Sequence, residues 1–211
     1  MTTKELHVID HPLVQHKLTL LRDKEVSTRG FRALTQEIGA LVAYEVMRTA
    51  PTRAVKVQTP IGEASGVELD GKKVVLVAIL RAGLGMLDGM LTVIPSARVG
   101  HVGLYREPKL HTAVEYYLKL PHSMAERDTI VISSVLATGG TAAAAVRRVR
   151  ECGARSVRFA CLVASREGVE TMHDHHPDVP IYTCAVDEGL DERGFIKPGL
   201  GDVGDRLYGT E

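Results

Sequence analysis

The feature that most constrains the fold is a regular alternation of strand and helix patterns that begins near residue 72. Continuously apolar runs, as expected of strands covered on both faces, include KKVVLVAIL, VRFACLVAS and VPIYTCAV. Segments with helical spacing separate such strands and include LGMLDGMLTVI and TAAAAVRRVREC. This alternation predicts an α/β fold with a mainly parallel, doubly wound sheet that is flanked by helices.

The residues before this alternation add two helices and two short strands. The segment HPLVQHKLTLLRD predicts a helix with Leu13, Leu18 and Leu21 on one side, and apolar residues between positions 31 and 46 recur at spacings of three and four. The segment RAVKVQTPIGEASGVELD predicts two strands around a Pro-Ile-Gly turn. Because no repeat, linker or low-complexity tract interrupts the chain, we predict a single domain over residues 1–211.

Composition and charge argue against several classes of function. Of the 211 residues, 45% are hydrophobic, and no segment approaches the roughly 20 consecutive apolar residues of a membrane span. Lys+Arg and Asp+Glu are equal at 26 each, which argues against a general role at nucleic acids or membrane surfaces. Three scattered cysteines and a start that lacks an apolar signal core favour a reduced, cytoplasmic protein.

One strand-to-helix turn has the composition of an anion-binding site. In doubly wound sheets, ligands bind beyond the carboxyl ends of the strands, and the turn ATGGT at 137–141 follows one such strand and opens a helix. Its glycines permit close approach of the backbone, and amide groups at a helix N-terminus attract an anion such as a phosphate monoester. The alternative is an ordinary turn in which a threonine caps the helix.

Two further loops carry charged residues. Arg81 ends an apolar run beside Gly83 and Gly85, and a guanidinium can bind two oxygens of a polyanion such as diphosphate; a turn with an exposed arginine is the alternative. The tail contains carboxylates that could bind Mg²⁺, directly or through water, or simply form a solvated loop. These are Asp187, Glu188, Asp202 and Asp205.

Five stretches of the chain together resemble the uracil phosphoribosyltransferase family of type I phosphoribosyltransferases. They are TPIGEASG, ILRAGLGMLDGML, VGLYREPKLHTAVEYYLKLP, VLATGGT and DEGLDERGFIKPGLGDVGDRLYGT, in the family's order. The ending PGLGDVGDRLYGT is specific to this branch, whereas ATGGT occurs in several. The resemblance implies pyrimidine salvage: uracil and 5-phosphoribosyl 1-diphosphate (the donor) give UMP and diphosphate, with Mg²⁺ as cofactor.

The resemblance also implies roles for individual residues. The implied catalytic residues are Arg81 and Arg106, which hold the diphosphate, and Asp202, near the donor and its metal ion. The implied donor site consists of Arg81, Arg106, Ser133, Ser134, Val135, Leu136, Ala137, Thr138, Gly139, Gly140, Thr141 and Asp202. The implied uracil site is formed by Ile196, Gly201, Asp202 and Val203, largely through their main chain.

Further expectations come from the same resemblance. Residues 104–121 are expected to form a hood over the donor, and residues 187–211 a base-recognition segment. We expect Mg²⁺ to be held mainly by the diphosphate and by water, with no dedicated protein metal site. The family also implies a homodimer or a higher homo-oligomer, and GTP as an effector.

The chain departs from the family pattern at two adjacent positions of the donor site. The family has an Asp-Pro pair where Ser133 and Ser134 stand here, and the aspartate holds the ribose hydroxyls. A serine can still hydrogen-bond a hydroxyl, but without the charge that strengthens such a bond. This motivates one alternative, a regulatory protein that binds the donor or a nucleotide with weak or no turnover. A regulator of pyrimidine genes that binds RNA is another.

Two clusters invite functions that we do not favour. The segment MHDHHPD contains three histidines, and we interpret it as the end of a polar helix rather than as a metal site. The segment RRVR at 147–150 predicts a solvated basic helix face, with Val146 and Val149 directed inward, rather than a nucleic-acid contact.

Overall fold

The computed structural model describes residues 5–106 and 113–210, with the side chains of Arg106 and Ala113 excepted. Its helices are α1 (Pro12–Arg22), α2 (Thr28–Val46), α3 (Leu84–Val93), α4 (Gly140–Glu151), α5 (Arg166–His175) and α6 (Val203–Tyr208). Its strands are β1 (Leu6–Val8), β2 (Thr52–Thr59), β3 (Gly62–Leu69), β4 (Val75–Leu80), β5 (Arg98–Arg106), β6 (Ala113–Lys119), β7 (Asp128–Ile132), β8 (Val135–Leu136), β9 (Ser156–Ala160), β10 (Val163–Ser165), β11 (Ile181–Thr183), β12 (Ala185–Asp187), β13 (Gly189–Leu190) and β14 (Ile196–Lys197).

A seven-stranded sheet forms the centre of the described structure, in the order β1-β11-β9-β7-β4-β5-β6. Neighbouring strands are parallel from β1 across to β5, and β6 pairs antiparallel with β5. Helices α1, α2, α3 and α6 pack on one face, and α4 and α5 pack on the other. The prediction of an α/β fold with a mainly parallel, doubly wound sheet is confirmed.

Strand β4 shows why the central runs are continuously apolar. Leu76 and Ala78 belong to the core under α1, α2 and α3, whereas Val75, Val77 and Ile79 belong to the core under α4 and α5. Because side chains alternate between the faces of a strand, a strand covered on both faces needs an apolar residue at every position.

Helix α1 buries a different stripe from the one predicted. Val14, Leu18 and Leu21 are buried at spacings of four and three, whereas Leu13 is 44% exposed. Residues five positions apart differ by about 140° around a helix, so Leu13 and Leu18 cannot share a face. In α2, by contrast, the predicted apolar stripe is buried or half-buried along its whole length.

Three predicted strands bend near their carboxyl ends and continue in a second sheet. The runs VISSVL, VRFACLVAS and VPIYTCAV each divide into two strands, so that β7 leads into β8, β9 into β10 and β11 into β12. The second members form a parallel sheet in the order β12-β10-β8. Val163 of β10 pairs with Ala185 of β12 and with Val135 of β8. The segments that follow β8, β10 and β12 therefore all start from the same small sheet.

The remaining segments mix confirmed and unforeseen structure. The predicted strand pair is confirmed as the β2–β3 hairpin, and the tail, predicted to lack periodicity, contains the β13–β14 pair and α6. Of the predicted hood at 104–121, the end of β5 and all of β6 are described, whereas residues 107–112 lie outside the described residues. None of the described helices is long and apolar enough to cross a membrane.

Helices α2 and α3 approach each other through glycines. A Cβ placed on Gly89 would lie 1.8 Å from the carbonyl O of Gln36, and one on Gly39 would lie 2.6 Å from the carbonyl O of Met86. Backbone atoms cannot move aside as a flexible side chain can, so these two positions fix the distance between the helices. Since α3 follows the loop of Arg81, this contact also helps to place that loop.

We predict that Gly89→Ala lowers the free energy of unfolding by about 3 kcal/mol, because the added methyl group must push α2 and α3 apart. The gain in helix propensity, about 1 kcal/mol, offsets only part of this cost. Urea denaturation measures the change. Gly66→Ala in β3 is the control, because a Cβ there meets no atom within 4 Å. Equal stability of Gly89→Ala and the wild-type protein would contradict the prediction.

Candidate functional site

A cleft of about 290 Å³ lies at the carboxyl ends of β4, β7 and β8. Three segments that are distant in the sequence line it, at 79–82, 133–142 and 202–204. Most residues predicted for the donor site are found here: Arg81, Ser133, Val135, Leu136, Ala137, Thr138, Gly139, Thr141 and Asp202. The sequence suggested these loops separately, and the structure brings them to one cavity.

The turn at 137–141 leaves the start of α4 without a side-chain cap. Gly139 is the N-cap residue of α4, has a φ of 81° and makes no side-chain cap hydrogen bond. The alternative of a threonine cap therefore does not hold. A Cβ on Gly139 would also lie 2.6 Å from the Cβ of Thr171 in α5. Glycine is required here on both counts, and the first-turn N–H groups of α4 remain able to donate to an anion in the cleft.

Ser165 anchors this turn from behind. The Ser165 hydroxyl is buried, donates to the carbonyl O of Ala137 at 2.6 Å and accepts from the N–H of Gly168 at 2.9 Å. A Cβ on Gly168 would lie 2.3 Å from the same Ala137 oxygen. The turn is thus held against the start of α5, and its backbone geometry is set before any ligand binds.

Ser133 and Ser134, which stand where the family has Asp-Pro, have different environments. Ser133 lines the cleft, and its N–H donates to the carbonyl O of Ala160 at 3.0 Å. Ser134 is fully buried, and its hydroxyl donates to the carbonyl O of Ala82 at 2.7 Å. The Ser134 side chain therefore ties the turn at 133–141 to the Arg81 loop instead of lining the cavity.

Arg81 is held by the C-terminal segment. Its Nη2 donates to Asp205 and its Nη1 to the Thr210 hydroxyl, each at 3.3 Å, and the Tyr208 hydroxyl donates to its carbonyl O. The hydrogen bond from Thr210 lowers the pKa of Asp205, and the Arg81 guanidinium lowers it further. A Cβ on Gly204 would lie 3.3 Å from Arg81 Nη2, so glycine permits this approach. Arg81 is thereby aimed at the cleft that it lines.

The residues predicted to bind uracil surround the start of α6. Ile196 and Val203 are buried side chains of the core, so only their main-chain groups are available to a ligand. Gly201 has a φ of 70°, which suits glycine. Asp202 is the N-cap of α6, and its Oδ1 accepts from the N–H of Asp205 at 3.0 Å. Gly201 does not itself line the cleft, whereas its neighbour Asp202 does.

The tail carboxylates differ in their availability to a metal ion. Asp187 is 7% exposed, and both its oxygens accept hydrogen bonds from Arg22, at 2.7 and 2.8 Å. Asp205 is paired with Arg81, which leaves Asp202 as the carboxylate that lines the cleft. Over the described ranges, no three His, Cys, Asp or Glu residues form a group that could hold a metal ion. Asp202 is therefore the tail carboxylate that could contribute an oxygen ligand to a cation in the cleft.

The histidine cluster lies at the end of a helix, as interpreted from the sequence. His176 Nε2 donates to the carbonyl O of Ala143, and His175 Nδ1 lies 2.9 Å from the carbonyl O of Thr171. Burial is the main cause that lowers the pKa of His176. In helix α4, which carries the predicted basic face, Val146 and Val149 are directed inward and buried, as expected.

Sequence reasoning missed several residues of the site. Ile79, Leu80, Ala82, Ala142 and Gly204 line the cleft but were not predicted. They flank predicted residues at the same strand and helix ends, so their position in the sequence was the available signal. The contact of Thr210 with Arg81 had no such signal, because it joins residues 129 positions apart.

Gly140 and Arg106 are the two remaining residues predicted for the donor site. Gly140 begins α4 next to the cleft, and a Cβ there would meet no atom within 4 Å. Arg106 ends β5, but its side chain lies outside the described residues, so its predicted contact with diphosphate stays a prediction.

A model of the uracil phosphoribosyltransferase family matches residues 8–210. Relatives named uracil phosphoribosyltransferase include one from Rhodococcus jostii (strain RHA1), 58% identical over 98% of this chain and 99% of the relative. Another, from Bacillus velezensis (strain DSM 23117 / BGSC 10A6 / LMG 26770 / FZB42), is 53% identical over the same shares of each chain.

Solved structures share the fold of this chain. The AQ2163 protein from Aquifex aeolicus has a TM-score of 0.92 at 33% identity, over 98% of this chain and 99% of that one. An adenine phosphoribosyl transferase from Trypanosoma brucei, in complex with AMP, pyrophosphate and ribose-5-phosphate, has a TM-score of 0.61 at 14% identity, over 90% of this chain and 87% of that one, and shares the fold alone. With the match to the family model and relatives above 50% identity, the chain belongs to the uracil phosphoribosyltransferase family.

Proposed function

We propose that this protein transfers the phosphoribosyl group of 5-phosphoribosyl 1-diphosphate to uracil, giving UMP and diphosphate. The observation that carries the proposal is the convergence of Arg81, the turn at 137–141 and Asp202 on one cleft. A guanidinium and a set of helix N-terminal amides can bind two separate anionic groups of one ligand. The names of the matched relatives supply the base, uracil.

The donor is proposed to bind by both of its anionic ends. The amides at the start of α4, with the hydroxyls of Thr138 and Thr141, would hold the 5-phosphate. Arg81 and Arg106 would hold the diphosphate, where bidentate guanidinium contacts favour the charged leaving group. Ser133, between these two ends, would hydrogen-bond the ribose hydroxyls.

The proposed reaction replaces one bond at the anomeric carbon of the donor by another. The bond to diphosphate breaks, the bond to uracil N1 forms, and the N1 proton passes to the departing diphosphate or to water. The ribosyl centre has oxocarbenium character between bond breaking and bond formation, as in glycoside cleavage. Catalysis then depends on stabilising the departing charge and on aligning uracil N1, and no nucleophilic side chain is needed. Mg²⁺, held by Asp202, diphosphate oxygens and water, would offset the negative charge of the leaving group.

Uracil is proposed to be read by main-chain groups of Ile196, Gly201, Asp202 and Val203. Main-chain donors and acceptors discriminate between bases only if the backbone is fixed, because a wrong base then leaves buried polar groups unpaired. The hood expected at 104–121, which would exclude water during the reaction, stays a prediction because residues 107–112 lie outside the described residues.

The family resemblance supports three further proposals, a homo-oligomer, a GTP effector and a cytoplasmic location, which stay predictions. For the oligomer there is one supporting observation. The β2–β3 hairpin exposes large apolar side chains, among them Val57, Ile61 and Val67, and Ile61 is 99% exposed. Exposed apolar side chains grouped on one element favour contact with another protein surface.

We predict that turnover with the donor and Mg²⁺ occurs with uracil and not with cytosine, hypoxanthine or adenine. Diphosphate release, measured for each base in turn, tests this. Equal turnover with a purine would contradict the proposed substrate. Tight binding of the donor without diphosphate release would instead favour the non-catalytic alternative, which no comparison favours.

We predict that Ser133→Asp raises kcat/KM roughly ten- to a hundredfold, because a charged hydrogen bond to the ribose hydroxyls contributes about 1.5–3 kcal/mol. Steady-state kinetics with uracil measure the gain. Ser133→Asn is the matched control, since it has the same size without the charge. An unchanged rate in Ser133→Asp, or an equal gain in Ser133→Asn, would show that the missing charge does not limit turnover.

A further inference from the structure

An ion pair lies directly behind the segment proposed to read uracil. Arg22, in the last turn of α1, donates through Nη1 and Nη2 to the two carboxylate oxygens of Asp187, at 2.8 and 2.7 Å. The Asp187 side chain is 7% exposed, so this bidentate pair is largely shielded from water. The two residues are 165 positions apart, and the contact joins α1 to the end of β12.

The same two side chains bind both polar backbone groups of Gly199. Arg22 Nη1 donates to the Gly199 carbonyl O at 2.8 Å, and the Gly199 N–H donates to Asp187 Oδ2 at 2.9 Å. Gly199 has a φ of 61°, and a Cβ there would lie 2.0 Å from the carbonyl O of Ile196. The chain therefore turns tightly at Gly199, and the ion pair holds the peptide groups on both sides of this residue.

A second arginine holds the next residue. Arg206 Nη1 donates to the carbonyl O of Leu200 at 2.9 Å, and its Nη2 donates to the carbonyl O of Asp23, just after α1. Its guanidinium lies 4.2 Å from the centre of the Phe31 ring, which restricts its position further. Gly199 and Leu200 are thus fixed by two guanidinium groups immediately before Gly201 and Asp202.

Asp187 also connects this segment to the phosphate-binding turn. Asp187 pairs with Ser165 in the β12–β10 ladder, and Ser165 donates to Ala137 of the turn at 137–141. Strand β10 in turn pairs with β8, which leads into that turn. A short, rigid path of backbone and side-chain hydrogen bonds therefore runs from one half of the cleft to the other.

A buried ion pair is a poor source of stability, because the loss of hydration offsets most of the attraction between the charges. The geometry points to a different role for this one. We infer that Arg22, Asp187 and Arg206 are positioning residues that fix the uracil-reading backbone at a set distance from the phosphate-binding turn. They do not line the cleft, and they contact the uracil-reading segment through the main chain of Gly199 and Leu200. This inference rests on the proposed function.

Three Arg→Lys substitutions test the inference. Arg22→Lys and Arg206→Lys keep the positive charge, so Asp187 and Phe31 stay paired with a cation, but a lysine cannot reproduce the planar fork that binds two acceptors. Arg48→Lys is the matched control. Arg48 makes a comparable bidentate contact with Glu45, at 2.7 and 2.9 Å, near the end of α2 and away from the cleft. Melting temperatures show whether each variant is folded.

Steady-state kinetics with uracil and the donor varied separately are then compared. We expect kcat/KM for uracil to fall about a hundredfold in Arg22→Lys and Arg206→Lys, because a shift of about 1 Å misaligns the base. KM for the donor should not change, and Arg48→Lys should match the wild-type protein. A merely structural role would reduce the amount of active enzyme without raising KM for uracil alone.

The outcomes separate the inference from the function on which it rests. Wild-type uracil kinetics in both Arg22→Lys and Arg206→Lys, or an equal rise in KM for uracil and the donor, would overturn the inference alone. If one of these variants does not fold, the other tests the same backbone from the opposite side. Absence of uracil turnover in the wild-type protein would overturn the proposed function and the inference together.

Discussion

The structure depends above all on the small parallel ladder formed by β12, β10 and β8. Its registers, with Val163 opposite both Ala185 and Val135, are set where three central strands bend out of the main sheet. The middle strand, β10, is buried, so its backbone N–H and C=O groups must find partners, and pairing with β12 and β8 supplies them. A shift of one residue would move the loops that follow by more than 3 Å and open the cleft.

This constraint explains how loops can form a site for a highly charged ligand. The turn at 137–141 is held by Ser165, the Arg81 loop by Ser134, and the C-terminal segment by its contacts with Arg81. The turn at 137–141 presents helix N-terminal amides to the cleft, the Arg81 loop a guanidinium, and the C-terminal segment the Asp202 carboxylate. Such a site needs little rearrangement when an anion enters, and electrostatic catalysis requires this kind of preorganisation.

The burial that raises the pKa of Cys161 to about 12 keeps that thiol unreactive in the core.

Sequence patterns predicted the fold class and the turns at 81 and 137–141, because apolar periodicity and glycine-rich strand ends report local structure. They could not predict the bend between β9 and β10, since an uninterrupted apolar run looks the same whether it is straight or bent. The predicted apolar side of α1 was wrong at Leu13, because Leu13 and Leu18 are five positions apart and lie on different sides of the helix. The tail was harder still. Asp187 suggested a metal ligand, yet its partner Arg22 lies 165 positions away, and no local pattern reports such a contact.

The central claim is that one donor molecule spans the cleft between the turn at 137–141 and Arg81. A crystal structure of the protein with 5-phosphoribosyl 1-diphosphate tests it most directly. The account predicts the 5-phosphate on the first-turn amides of α4, beside Thr138 and Thr141, and the diphosphate against the Arg81 guanidinium. A donor bound away from both, or bound in this cleft with its two anionic ends reversed, would contradict the account.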